Sequence, residues 1–112
     1  MKHVQHVLNE RDILNKVSQS QFCSKLHDSF QDEGHLYMLL DFLPGGELFK
    51  QIKQQMYLSV EDSRFYLAEI LLGIETLHSM NIIYRDLKPE NILLDGDGHI
   101  KLIDFGFAKQ LN

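Results

Sequence analysis

One predicted helix limits what this chain can fold into. It begins at Ser59, where the run Ser59-Val60-Glu61-Asp62 has the pattern of a capping box. Its apolar residues, which lie on nearly every side, are Phe65, Leu67, Ala68, Ile70, Leu71, Leu72, Ile74 and Leu77. A helix that is apolar all round is normally buried on all sides. The pattern therefore predicts a helix from the interior of a protein larger than 112 residues.

The other periodicities predict a mixed α+β chain. Residues 3–17 have apolar side chains at helical spacing and predict an amphipathic helix. Further predicted elements are strands at 26–30 and 36–42, a short helix over 47–55, and a second hairpin in which 92–94 and 99–102 flank 95–98. This order fits neither a doubly wound sheet nor a helix bundle, and it predicts α+β with elements missing.

Charge and cysteine content exclude several classes of protein. Eleven basic and sixteen acidic residues give a net charge of −5, which argues against binding to nucleic acid or to an anionic membrane. The single cysteine, Cys23, cannot form an internal disulfide, and we expect it in the core. The start of the chain lacks the apolar run of a signal peptide, so we expect a cytoplasmic or nuclear protein.

Two short motifs carry the chemistry. The run YRDLKPEN occupies residues 84–91, and IDFGFAK occupies residues 103–109. Alone, Asp86 is typical of a loop or cap, and Asn91 is typical of a turn. The two motifs occur in this order with eighteen residues from Asp86 to Asp104, and together they resemble the catalytic loop and magnesium-binding segment of protein kinases. The run Asp95-Gly96-Asp97-Gly98 between them predicts a hairpin turn, because it lacks the other ligands of a calcium loop.

The resemblance covers essentially the whole chain and implies a fragment of the two-lobed protein-kinase fold. Residues 1–42 would form helix C and a hairpin of the small lobe, and 43–46 would form the hinge. Residues 47–112 would begin the mainly helical large lobe, with the catalytic loop and the magnesium-binding segment.

The family's chemistry assigns roles within the two motifs. Phosphoryl transfer depends on positioning and on charge neutralisation, so the cofactors implied are ATP and Mg²⁺. By resemblance, Asp86 accepts or orients the substrate hydroxyl, and Lys88 places a cation near the transferred phosphoryl group. Asn91 and Asp104 would supply oxygen ligands to Mg²⁺. Gly106 would let the backbone turn closely behind Asp104.

Residues 36–49 resemble the strand and hinge that receive the adenine ring. Leu40 would be the gatekeeper, and the backbone of Asp41 to Leu43 would hydrogen-bond the adenine edge. Glu47 would reach the ribose or a basic substrate residue. The side chains expected to line the base pocket are Leu48, Leu93 and Ile103. A core strand that enters a glycine-rich turn is equally consistent with this stretch of sequence.

The first helix resembles helix C, in which one glutamate pairs with the lysine that holds the α- and β-phosphates. Glu10 is the candidate for that glutamate, although a glutamate on an amphipathic helix is ordinarily solvent-exposed. Four residues match the family's stacked hydrophobic spine: Leu14, Leu26, Tyr84 and Phe105.

The runs YRD, LPGGELF and DFGFAK resemble the AGC group of serine/threonine kinases, and most closely the cyclic-AMP-dependent kinases or their cyclic-GMP-dependent relatives. That group phosphorylates serine or threonine near basic residues, and Glu47 and Glu90 could receive substrate arginines. Arg85 and Lys109 match positions that clasp a phosphorylated activation loop. The resemblance also implies a possible regulatory subunit as a partner.

The sequence departs from the family at both ends. A glycine-rich loop and the strand lysine do not precede the first helix, and the activation segment does not follow the last residues. We therefore expect little kinase activity from residues 1–112 alone. The alternative is a catalytically inactive kinase-like protein that binds or regulates partners. Sequencing the flanking genomic region distinguishes these cases, because a kinase fragment predicts neighbouring exons that encode the missing parts.

Overall fold

The computed structural model describes residues 2–112, with side chains from residue 4 onward. The helices are α1 (Lys2–Val17), α2 (Leu48–Gln55) and α3 (Val60–Ser79), with a 3-10 turn at Pro89–Asn91. The strands are β1 (Leu26–Gln31), β2 (Leu36–Leu40), β3 (Gly46–Glu47), β4 (Ile82–Ile83), β5 (Ile92–Leu94), β6 (Ile100–Leu102) and β7 (Lys109–Gln110). The predicted α+β class is confirmed.

The first hairpin joins β1 and β2 in antiparallel register. Phe30 pairs with Tyr37 across the strands, and their rings stack with centroids 5.3 Å apart. In the turn, the Asp32 carboxylate accepts hydrogen bonds from the backbone N–H groups of Gly34 and His35. The bond from Gly34 is the largest cause that lowers the pKa of Asp32, and the bond from His35 lowers it as well. The strand expected to reach residue 42 ends at Leu40, because the chain turns there into the hinge.

The second hairpin is part of a three-stranded sheet in the order β3-β5-β6. Strand β3 was not predicted, since Gly46 belongs to the Pro44-Gly45-Gly46 turn pattern and Glu47 was predicted as the first residue of the short helix, which begins at Leu48 instead. Gly45 allows this pairing because it has no Cβ. A Cβ at this position would lie only 2.6 Å from Leu94 Cβ and would clash with it. The Gly45 N–H donates to the Leu94 carbonyl at 3.0 Å, which fixes the glycine turn against the second hairpin.

Helix α3 begins as the sequence predicts. The Ser59 hydroxyl accepts a hydrogen bond from the Asp62 N–H at 3.0 Å and caps the helix. Gly73 and Leu77 are buried, whereas Leu67 and Leu71 are 59% and 68% exposed. One side of α3 thus packs on the rest of the chain, and the other presents apolar side chains outward. None of the described helices is long and apolar enough to cross a membrane.

The core lies where α1 and the end of α3 meet the second hairpin. Its most deeply buried residues are Val17, Cys23, Leu77, Ile82, Ile100, Leu102 and Phe105. Burial raises the pKa of the Cys23 thiol to about 11, which keeps it protonated at neutral pH. The expectation that Cys23 is a core residue is confirmed.

Candidate active site

The loop between β4 and β5 is held together by one buried amide. The Asn91 Nδ2 donates to the Asp86 backbone carbonyl at 3.0 Å and to the Asp86 carboxylate Oδ2 at 2.8 Å. Asn91 is only 6% exposed, so these bonds are shielded from water. Because the amide nitrogen faces Asp86, the amide oxygen is the atom left for another ligand.

Lys88 lies beside the other oxygen of the same carboxylate. Its Nζ is 3.8 Å from Asp86 Oδ1, and its side chain is 50% exposed. A pair this exposed contributes little to stability. The structure nevertheless places a half-exposed cation beside the Asp86 carboxylate.

The second motif is attached to the first through Asn91. The Ile103 N–H donates to the Asn91 carbonyl at 3.0 Å, and the Tyr84 hydroxyl donates to the Ile103 carbonyl. Burial, followed by the nearby charges of Asp104 and Asp86, raises the pKa of Tyr84 and keeps the hydroxyl protonated as the donor. Asp104 follows Ile103 directly, so the two motifs form one continuous hydrogen-bonded unit.

Two residues of this unit have left-handed backbones. Arg85 has φ 69° and Asp104 has φ 58°. Such conformations cost a non-glycine residue about 1 to 3 kcal/mol, and they are common at functional sites. The Arg85 Nε donates to the Phe107 carbonyl at 2.7 Å, which ties the first motif to the second.

Gly106 lies close behind Asp104, and the space around it is limited. The residue with the unusual backbone is Asp104. A Cβ on Gly106 would lie 3.2 Å from Asp104 Oδ1 and 3.6 Å from Glu10 Oε2. The Gly106 N–H also donates to Asp104 Oδ1 at 3.2 Å. The glycine therefore lets two carboxylates approach one short stretch of backbone.

Glu10 on α1 faces this segment. Burial raises the pKa of Glu10, and the Asp104 carboxylate raises it further, whereas His6 lowers it. His6 Nε2 donates to the Gly106 carbonyl at 2.8 Å. A cleft of about 520 Å³ between α1 and the segment is lined by Glu10, His6, Lys16, Arg85 and Lys109 among others. Arg85 and Lys109 thus share one cleft.

The hinge leaves one backbone acceptor and one donor unused. The Asp41 N–H donates to the Lys25 carbonyl at 3.1 Å, and the Leu43 carbonyl accepts from the Gly46 N–H at 3.2 Å. Within residues 2–112, neither the Asp41 carbonyl nor the Leu43 N–H has an intramolecular hydrogen bond. These two groups form the hydrogen-bonding edge of the hinge.

The other predicted nucleotide residues lie on both sides of the hinge. Leu40, at the end of β2, is 40% exposed, and Glu47 pairs with Leu93 across β3 and β5. Ile103 and Leu93 are half-buried. Leu48 is only 4% exposed and packs in the core, so it offers no open surface for a base.

The four spine residues lie in or against one core. Leu14, Tyr84 and Phe105 are buried members of it, and Leu26 packs against them. The Tyr84 and Phe105 rings meet edge to face with centroids 5.3 Å apart. The contact between Tyr84 and Phe105 therefore helps to hold the two motifs together.

The oxygen donors suit a magnesium ion. Asp104 offers a carboxylate and Asn91 offers an amide oxygen, and Mg²⁺ commonly takes one or two protein ligands and completes its shell with phosphate and water. In the part of the chain that the structure describes, no three His, Cys, Asp or Glu side chains form a metal-binding cluster. The donor set fits a metal that a phosphate ligand helps to hold.

The whole chain matches a known family. The family described as "Protein kinase domain" matches residues 1–112. The chain is 58% identical over 101 residues, or 90% of its length, to ribosomal protein S6 kinase alpha-1 of Homo sapiens, and covers 14% of that protein. It is 57% identical over 101 residues to ribosomal protein S6 kinase 2 beta of Xenopus laevis, and covers 16% of it. The chain therefore spans about a seventh of the length of these curated relatives. Their AGC-group membership confirms the group expected from the sequence, and the closer likeness to cyclic-AMP-dependent kinases stays a prediction.

Proposed function

The chain belongs to the protein kinase family, and we propose that it is part of an ATP-dependent protein serine/threonine kinase. The reaction transfers the γ-phosphoryl group of MgATP to a serine or threonine hydroxyl. One observation carries this proposal: the Asn91 amide holds the Asp86 carboxylate, while the Asn91 carbonyl holds the backbone next to Asp104. The candidate proton acceptor and the two candidate metal ligands therefore belong to one hydrogen-bonded unit.

Asp86 would act on the substrate hydroxyl. Its Oδ2 is fixed by Asn91, which orients the carboxylate for proton acceptance from a hydroxyl. Lys88, near Oδ1, would place positive charge beside the transferred group. Both side chains contribute mainly by position and charge, as phosphoryl transfer requires.

Asn91 and Asp104 would hold Mg²⁺, which when bound neutralises charge on the phosphate oxygens. Their free oxygens are hard donors of the type that this ion prefers. Glu10 lies beside Asp104 with a raised pKa, an environment in which a cation would be favourable. This supports its assignment to the phosphate end of the nucleotide site.

The adenine edge is complementary to the hinge. Adenine presents an amino donor and a ring-nitrogen acceptor side by side, which match the unused Asp41 carbonyl and Leu43 N–H. Leu40, Leu93 and Ile103 supply apolar surface for the base, and Glu47 would reach the ribose or a basic substrate residue.

The proposed substrates are proteins with basic residues near the target serine or threonine. The exposed carboxylate of Glu90, together with Glu47, suits arginine side chains. Arg85 and Lys109, in one cleft, suit a phosphorylated activation loop. The relatives are named as kinases of ribosomal protein S6, which supports a protein substrate. We further propose that the protein binds a regulatory subunit and is located in the cytoplasm or nucleus.

Calorimetric titration with ADP, with and without Mg²⁺, tests the nucleotide site. We expect Mg²⁺ to strengthen ADP binding to residues 1–112, and Asp104→Asn to remove that gain. The matched control is Asp97→Asn, since Asp97 is an exposed aspartate in the β5–β6 turn. If both variants keep the magnesium effect, or if the unsubstituted chain binds no ADP, the proposed function is wrong.

A further inference from the structure

The first hairpin contains one extra residue near the hinge. Leu26 pairs with Leu40, but the next pair along is Asp28 with Leu39, so His27 has no partner of its own. Two residues of β1 therefore face one residue of β2, which is the definition of a β-bulge. Bulges are common beside active sites, where they redirect a side chain.

The bulge brings His27 to Asp41, the residue that directly follows β2. The His27 Nε2 is hydrogen-bonded to the Asp41 carboxylate Oδ1. The same shift in register places Lys25 opposite Asp41, whose N–H donates to the Lys25 carbonyl at 3.1 Å. Asp41 is thus held to β1 through both its side chain and its backbone N–H.

These two attachments leave one polar group of Asp41 free. Its backbone carbonyl has no intramolecular hydrogen bond within the described residues, and it is the group assigned above to the adenine amino donor. The rotation of the Asp41 peptide unit decides where that carbonyl points. A side-chain bond that restrains Asp41 restrains this direction as well.

We propose that His27 is a positioning residue for the base-binding hinge, which it holds by donating its ring N–H to the Asp41 carboxylate. The inference rests on the proposed function, because it concerns the fit of the hinge to adenine. It deepens that function by assigning a role to a residue outside both motifs.

A simple surface ion pair would not account for this arrangement. The His27 and Asp41 side chains are 43% and 29% exposed, and pairs at such positions contribute little to stability. The same hairpin contains a second pair, His35 and Asp32, 3.5 Å apart in the turn. That pair has the same chemistry but no contact with the hinge, and it provides a matched control.

The experiment compares base selectivity among variants of the 112-residue chain. Calorimetry measures the affinity for ADP and for IDP, whose base lacks the 6-amino donor and carries a hydrogen on N1. We expect His27→Leu to weaken ADP binding by about threefold to tenfold, the effect of losing the hydrogen bond between the Asp41 carbonyl and the adenine amino group. IDP cannot form that bond, so its binding should weaken by less than about twofold. His35→Leu should change neither the ADP affinity nor the IDP affinity. His27→Gln keeps a hydrogen-bond donor, so it should lose less ADP affinity than His27→Leu.

Hydrogen exchange provides a second readout that does not need a nucleotide. The Asp41 amide should exchange several times faster in His27→Leu than in the unsubstituted chain or in His35→Leu. Equal loss of ADP and IDP affinity, or unchanged ADP affinity in His27→Leu, would overturn the inference and leave the proposed function intact. A failure of the unsubstituted chain to bind ADP would instead overturn the proposed function, and this inference with it.

Discussion

Replacing Asn91 with alanine removes the central link of the candidate active site. The variant loses one hydrogen bond to a backbone carbonyl and one to a carboxylate. A neutral bond contributes about 1 kcal/mol and a bond to a charged group about 1.5 to 3 kcal/mol. The Asp86 side chain is 21% exposed, so water replaces part of the second bond. We therefore expect a loss of about 2 to 3 kcal/mol in the free energy of unfolding.

Urea unfolding followed by far-ultraviolet circular dichroism measures this loss, since the chain has no tryptophan to serve as a fluorescent probe. Asn15→Ala is the matched control, because Asn15 is exposed on α1, and we expect a change within about 0.5 kcal/mol. Asn91→Asp should be destabilised further at neutral pH, where it sets two carboxylates together, and should recover as acid protonates them. Equal stability of Asn91→Ala and Asn15→Ala would refute the reasoning.

Two further predictions concern other surfaces. The Glu69 carboxylate accepts a hydrogen bond from His99 at 2.8 Å, and this bond raises the pKa of His99 above 6.5. The stability that this bond adds to the folded state is fully present below pH 6.5. It is lost as the pH rises through the higher pKa that His99 has in the folded state. Urea unfolding should show this decline in the unsubstituted chain but not in His99→Gln, and an identical decline in both would contradict the assignment. Leu67 and Leu71 are exposed on α3, so the double variant Leu67→Lys/Leu71→Lys should associate less in sedimentation velocity with unchanged helix content. If association is undiminished, the chain associates through a surface other than Leu67 and Leu71.

Local signals were enough to predict most elements of the fold. The Ser59 cap and the Asp95-Gly96-Asp97-Gly98 turn are each specified by a few neighbouring residues, and both form as expected. Strand β3 depends instead on pairing with β5, more than forty residues away in the chain, and its two residues carry no strand signal. Hydrophobic periodicity within a segment does not predict the long-range pairing of short strands.

The site was predictable in residue type but not in geometry. The two motifs identified Asp86 and Asn91, yet only the structure shows that the Asn91 amide nitrogen faces the Asp86 carboxylate. The left-handed backbones of Arg85 and Asp104 were not predicted from the sequence, because neither residue is a glycine and no turn pattern marks either position. The bulge at His27 likewise arises from register between strands.

The central claim is that Asp86, Asn91 and Asp104 converge on one metal-bound nucleotide tail. The most direct measurement replaces Mg²⁺ with paramagnetic Mn²⁺ in the presence of ADP and records the broadening of each backbone amide resonance. We predict broadening in both 86–91 and 103–106 that is stronger than in the β1–β2 turn at 32–35. Broadening of only one of the two motifs, or of neither, would contradict the claim.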